Sequence, residues 1–203
     1  MDDMALTIIG EHAKTGANLR TLFFEQYADL LKQAAQEMAK RFIEGNKLIL
    51  CGNGGSAADC QHLAAEFVNR FLQERSALPA LALTTDSSIL TAVANDYDYT
   101  KVFSRQVEAL GRKGDFLIAI STSGTSKNVV QAAKMARANG LITMALTGEG
   151  GGALRDCDYV FAVPSISTPL IQEIHLACEH LFCQLVDYYL FENVAALDLS
   201  SVS

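Results

Sequence analysis

His62 and Glu66 stand four residues apart just behind a glycine-rich turn, Gly52-Asn53-Gly54-Gly55-Ser56. At that spacing an imidazole and a carboxylate share one face of a helix, and both are groups that move protons. Glycine lacks a Cβ, so the turn can bring backbone N–H groups close to a ligand. A helix starting at Ser56 aims its N-terminal amides at the same point, which makes an anion site. A second loop, Ser121-Thr122-Ser123-Gly124-Thr125-Ser126, is rich in hydroxyls. Ser126 or Thr125 can serve as a helix N-cap, which accounts for one hydroxyl. The others, with backbone amides, can wrap a phosphate without Lys or Arg. An anion cradle backed by an imidazole and a carboxylate suits proton-transfer chemistry on a phosphorylated small molecule.

Further polar residues load the late apolar segment: Gln172, Glu173, His175, Glu179 and His180. Gln172 and His180 are eight residues apart, about 12 Å along a helix axis and roughly 80° around it. One straight helix brings both to a single metal only with difficulty; two subunits would do so more easily. Asn95-Asp96 follows an apolar run. It either ends a helix or presents polar groups at a pocket edge to sugar hydroxyls.

Several function classes are disfavoured. Gly52 to Ala57 fits the relaxed dinucleotide pattern GxGxxA, a weak signal alone. A nicotinamide site also needs an acidic residue about 20 positions on, closing the second strand. Asp86 comes too late for that, and Gln73-Glu74 too early. No Gly-Lys-Ser/Thr occurs, so a nucleotide P-loop is excluded. Net charge is -7, which argues against a nucleic-acid surface. The segment from Leu170 to Phe191 carries too many charges to span a membrane. Five cysteines without a CxxC pair read as reduced thiols, and the N-terminus lacks the basic region of a signal peptide. Both point to a cytoplasmic protein.

The elements that must position these residues read as one domain over 1–203. It comprises a helical N-terminal extension (1–45), an α/β core (46–192) and a loose tail (193–203). Leu19, Leu22, Phe23, Tyr27, Leu30, Leu31, Ala34, Met38 and Phe42 recur at three- and four-residue steps, with Gly16 separating a short first helix from a longer second. That stripe needs cover from the sheet or from another subunit. Strand candidates 48–51, 80–83, 116–120, 141–146 and 159–163 alternate with helical patterns over roughly 57–70, 88–94, 100–110, 127–139 and 169–190. Such alternation means a parallel sheet with helices on both faces. Ligands then bind beyond the carboxyl ends of the strands, where the Gly/Ser/Thr-rich loops lie.

On these residues the chain resembles a sugar isomerase (SIS) domain. The carriers are Cys51-Gly52-Asn53-Gly54-Gly55-Ser56, His62-Leu63-Ala64-Ala65-Glu66, Leu83-Thr84-Thr85-Asp86, Ala94-Asn95-Asp96-Tyr97, Ser121 to Ser126, and Ile171-Gln172-Glu173-Ile174-His175. The resemblance covers nearly the whole chain. It implies a five-stranded parallel sheet in flavodoxin-like order and a homotetramer with active sites between subunits. It implies sugar-phosphate contacts from Asn53, Gly54, Gly55, Glu66, Asn95, Asp96, Ser121, Thr122, Ser123, Ser126 and Gln172, with Glu66 as catalytic base and His180 as acid. It also implies one zinc per subunit at His62, Glu66, Gln172 and His180, although Gln is a rare zinc ligand. Where some members carry an acidic and a basic residue before the glutamine, this chain has Pro169 and Leu170.

The reaction implied is the aldose–ketose conversion of D-sedoheptulose 7-phosphate to D-glycero-D-manno-heptose 7-phosphate through an enediol. That is the first step of ADP-heptose synthesis for the lipopolysaccharide core. The alternative is a non-catalytic SIS protein that binds the replication initiator DnaA or senses a sugar phosphate. The DnaA-binding relative lacks the carboxylate and imidazole that Glu66 and His180 supply here.

Overall fold

The computed structural model describes residues 3–200. Helix α1 spans Met4–Ile43, followed by β1 Leu48–Gly52, α2 Gly55–Val68, β2 Ala80–Ala82 and α3 Ser87–Asp96. Helix α4 is Ser104–Leu110, β3 Phe116–Ser121, α5 Lys127–Ala138, β4 Ile142–Thr147, β5 Tyr159–Ala162 and α6 Thr168–Asp187. Strand residues alternate between faces. Leu48 and Leu50 of β1 join one core, with Phe116, Ile118 and Ile120 of β3. Ile49 and Cys51 join the other, with Leu117 and Ala119. Both faces are apolar, as strands covered on both sides require. Helices α1, α2 and α6 pack on the first face; α4 and α5 pack on the second.

All pairings are parallel, and the order is β2-β1-β3-β4-β5. The five-stranded parallel sheet expected from the alternation is present in flavodoxin-like order. The order in which strands are added reverses between β1 and β3, so the binding crevice lies beyond their carboxyl ends. Gly52 of β1 is level with Ile120 of β3, which sets the glycine loop and the hydroxyl loop side by side.

The expected break at Gly16 does not occur: α1 is one helix of 40 residues. A single glycine costs a helix about 1 kcal/mol relative to Ala without ending it. Here α6 packs close to that position, since a Cβ on Gly16 would lie 3.4 Å from Glu173 Oε2 and 3.7 Å from Leu170 Cδ2. From Phe23 onward the stripe packs into the first core, chiefly against α6, with Tyr27 and Leu30 half-buried, whereas Leu6, Ile8 and Ile9 near the start of the helix are exposed. The segment expected to run from 100 to 110 divides into a 3-10 turn, Tyr99–Lys101, and α4. Beyond α6 come a π-helical turn, Tyr188–Glu192, and a 3-10 turn, Val194–Ala196. In the segment expected to be a loose tail, Leu197 is buried in the first core; residues 201–203 lie outside the described residues.

Candidate active site

Strand β1 delivers the glycine loop, and α2 begins within it at Gly55. The Asn53 side chain is held by Asn128 of α5 through reciprocal amide hydrogen bonds: Asn128 Nδ2 donates to Asn53 Oδ1 (2.8 Å) and Asn53 Nδ2 donates to Asn128 Oδ1 (2.9 Å). Asn128 is buried, and the Tyr99 hydroxyl also donates to Asn53 Oδ1 at 3.4 Å. The amide of Gln172 lies over the Cα of Gly55, so a larger residue there would displace the Gln172 side chain.

The second loop follows β3. Ser126 occupies the N-cap position of α5, yet its side chain makes no capping bond. Instead Ser121 Oγ donates to Ser126 Oγ at 3.0 Å, and Ser121 and Ser123 Oγ lie 3.4 Å apart. Ser123 Oγ accepts from the Thr125 amide at 3.2 Å and from its hydroxyl at 3.0 Å. The hydroxyls of Ser121, Ser123 and Ser126 therefore cluster at the start of α5, where free backbone amides favour an anion. Thr122 shares the same loop and is part-buried.

Two turns into α2, His62 Nε2 faces His180 Nε2 of α6 at 2.9 Å, and Glu66 Oε1 lies 3.6 Å from His62 Nε2. The two rings are edge-to-face, and Phe71 stacks on the other side of His180 with centroids 5.6 Å apart. Burial, and then the neighbouring His62, hold the His180 imidazole below its ordinary range, while Glu66 pulls the other way. The proton-moving groups thus converge, although 118 residues separate His62 from His180.

Not every expected residue joins this centre. Gln172 meets α2 at Gly55, whereas His180 meets it at His62, two helical turns further on. This matches the separation expected for one straight helix. Asn95 and Asp96 form the last turn of α3, where Asn95 Nδ2 donates to Asp96 Oδ1 at 2.8 Å; both are exposed.

The expected four-residue zinc set is not assembled within one chain: no group of three or more His, Cys, Asp or Glu among the described residues forms a metal cluster. The donor chemistry is nonetheless suitable. Separations of 2.9 and 3.6 Å around His62 Nε2 straddle the roughly 3.3 Å between donors of a tetrahedral zinc with bonds of about 2.0–2.1 Å.

The pattern reading missed Asn128, Tyr99 and Phe71. Asn128 had a signal, an asparagine at a core-facing position in the first turn of an amphipathic helix. Tyr99 and Phe71 are ordinary aromatic residues until the fold sets them against Asn53 and His180.

A parallel sheet with an anion-binding loop pair at its switch point, and a His/Glu/His cluster beside it, defines a domain built to handle a sugar phosphate. The SIS domain model matches residues 11–148, and the chain belongs to that family. The phosphoheptose isomerase of Desulfovibrio desulfuricans is 61% identical over 97% of this chain and 94% of that protein. Solved phosphoheptose isomerases from Neisseria gonorrhoeae (40% identical, TM-score 0.84) and Francisella tularensis (35%, 0.86) each cover 90% of this chain and 98% of their own. The family is consistent with a metal cofactor. No helix among the described residues is long and apolar enough to cross a membrane.

Proposed function

We propose that this chain is a phosphoheptose isomerase, an aldose–ketose isomerase that converts D-sedoheptulose 7-phosphate to D-glycero-D-manno-heptose 7-phosphate in the cytoplasm. It would thereby open ADP-heptose synthesis for the lipopolysaccharide core. The observation that carries the reading is the convergence of Glu66, His62 and His180 beside the two anion loops. A protein that only bound DnaA or sensed a sugar phosphate would have no use for that cluster.

In the ketose-to-aldose direction a base removes a C1 proton next to the C2 carbonyl. The electron pair moves onto the C2 carbonyl oxygen, which takes a proton to give the enediol; the C1 hydroxyl then loses its proton as C2 gains one, leaving the C1 aldehyde. Glu66 takes the C1 proton, with its side chain 22% exposed and thus largely withdrawn from water. His180 donates to the carbonyl oxygen, its ring oriented by His62 and Phe71. Ser121, Thr122, Ser123 and Ser126, with the loop at Asn53, Gly54 and Gly55, anchor the distant phosphate and so fix the reacting end. Asn95, Asp96 and Gln172 bind sugar hydroxyls. Alternatively zinc, one per subunit and held by His62, Glu66, Gln172 and His180, would supply the Lewis acid at the carbonyl oxygen in place of the His180 proton. The separation of Gln172 from the His62–His180 pair within one chain favours a site completed by a second subunit, and the homotetramer is what the resemblance to the SIS family implies.

The deciding experiment is turnover of sedoheptulose 7-phosphate by purified protein, with NMR of the product. Formation of the heptose 7-phosphate is the expected result, and tight binding without turnover would overturn the isomerase reading. Treatment with a chelator should abolish turnover, with recovery on adding zinc; undiminished activity in metal-free protein would remove zinc from the proposal. Ser126→Ala should raise KM about 10–100-fold and lower kcat less than tenfold, since a hydrogen bond to a charged group contributes about 1.5–3 kcal/mol. Steady-state kinetics checks this, and an unchanged KM would place the phosphate elsewhere.

A further inference from the structure

Glu66 and His180 sit on different helices, α2 and α6, so their relation depends on how those helices are held together. One side chain ties the carboxyl-terminal end of both. Arg75 belongs to the irregular segment 69–79, yet its side chain is only 1% exposed. Its Nη2 donates to the Glu66 carbonyl at 2.9 Å, and its Nη1 to the carbonyls of Phe67 (2.9 Å) and Ser76 (3.1 Å). Its Nε donates to Asp187 Oδ1 at 2.7 Å. Asp187 is the last residue of α6. It stands seven residues past His180, about two turns on and on nearly the same face.

The contacts suit the chemistry of both helix ends. Glu66 and Phe67 lie in the last turn of α2, where carbonyls lack helical N–H partners and a cation is favoured. Guanidinium presents its donors in a rigid planar fork, so bonds to two helices fix direction as well as distance. A buried ion pair is a poor way to gain stability, because apolar residues of similar volume serve as well or better. Its use here is geometric: the backbone of the base itself is bonded to the helix that carries the acid.

We propose that Arg75 is a positioning residue for the isomerisation. By joining the carbonyls of Glu66 and Phe67 to Asp187, it sets the spacing between the base on α2 and the acid on α6. This rests on the roles given above to Glu66 and His180. Arg75 acts through them and does not touch the sugar.

The test uses full-length protein with Arg75→Lys and, separately, Asp187→Asn. The asparagine keeps an acceptor oxygen for Arg75 and removes the charge, so it carries the test if the lysine variant fails to fold. Both variants should lose kcat about 10–100-fold, the scale set by misplacement of a reacting group by about 1 Å. KM should stay within about twofold, because the phosphate loops follow β3 and open α2, whereas Arg75 bonds α2 only at its far end. Arg75→Lys combined with Glu66→Asp should lose little more than the larger single loss, as expected when one residue acts through the other. Wild-type kcat in a folded variant, a loss confined to KM, or losses that simply multiply would overturn the proposal. If the parent protein does not turn over sedoheptulose 7-phosphate, the functional reading fails and this proposal with it. An active parent with fully active variants would overturn this proposal alone.

Discussion

Glu66→Gln should lower kcat by roughly 10²–10⁴ while sugar-phosphate affinity stays within a few-fold, the range a positioned general base contributes. The amide has nearly the shape of the carboxylate and can still occupy the space beside His62, 3.6 Å from the present Glu66 Oε1. It cannot accept the C1 proton. The phosphate contacts lie on the loop after β3 and on the glycine loop at the start of α2, about three turns from Glu66, so binding survives. Turnover measured alongside calorimetric binding of sedoheptulose 7-phosphate separates the two effects. Residual turnover above a tenth of the parent rate would mean another group is the base. Exchange of the C1 proton with solvent deuterium should fall in parallel with kcat, since both need the same proton transfer.

Acid should destabilise the fold through His175, by about 3 kcal/mol between pH 7 and pH 4. His175 is fully buried, and its Nε2–H donates to the Thr147 carbonyl at 3.0 Å, at the carboxyl end of β4. A carbonyl can only accept, so the other nitrogen, Nδ1, is the bare one, and it is buried without a partner. A second proton would place a cation in the dry core, and burial therefore lowers the imidazole pKa to about 4. The unfolded chain takes up that proton near pH 6.5. Between about pH 6.5 and pH 4 the unfolded state thus binds more protons, and stability falls as pH falls.

The neighbouring Glu179 acts with the opposite sign. Burial, and then Asp59, push its carboxyl well above the usual range, so its contribution is present at low pH and is lost as pH rises. Comparison of urea unfolding of the parent and His175→Gln at each pH isolates His175, since Glu179 is common to both. Their stability difference should change by about 3 kcal/mol across this window. A difference that stays flat would show that the folded protein accommodates the His175 proton.

Features set by local chemistry were legible in the sequence alone. Short continuous apolar runs of strand length, bounded by glycine and proline, located all five strands to within about one residue. Helix periodicity located α2, α5 and α6. The turn at Gly52 to Ser56, the hydroxyls from Ser121 to Ser126, and the four-residue step from His62 to Glu66 each depend only on residues close in the chain. A strand–helix alternation then leaves few topologies, and it places those loops on one edge of the sheet.

What the tertiary structure decided were contacts between residues far apart, which no local pattern encodes. Periodicity showed that α2 and α6 each had an apolar face, not that His62 would meet His180. The Ser126 hydroxyl had two possible partners, the helix end or Ser121, and the approach of β3 to α5 chose Ser121. Gly16 looked like a helix break because glycine is a weak helix former; packing against α6 outweighed that preference. Nothing in the local sequence pattern marks Arg75 out. Only folding buries it, because its donors find partners in Glu66, Phe67 and Asp187, and two of those lie on a different helix from the third. Sequence thus determined the elements and the chemical groups they carry. The spacing between those groups came from packing, where the free energy of burial selects among arrangements that local preferences leave equally open.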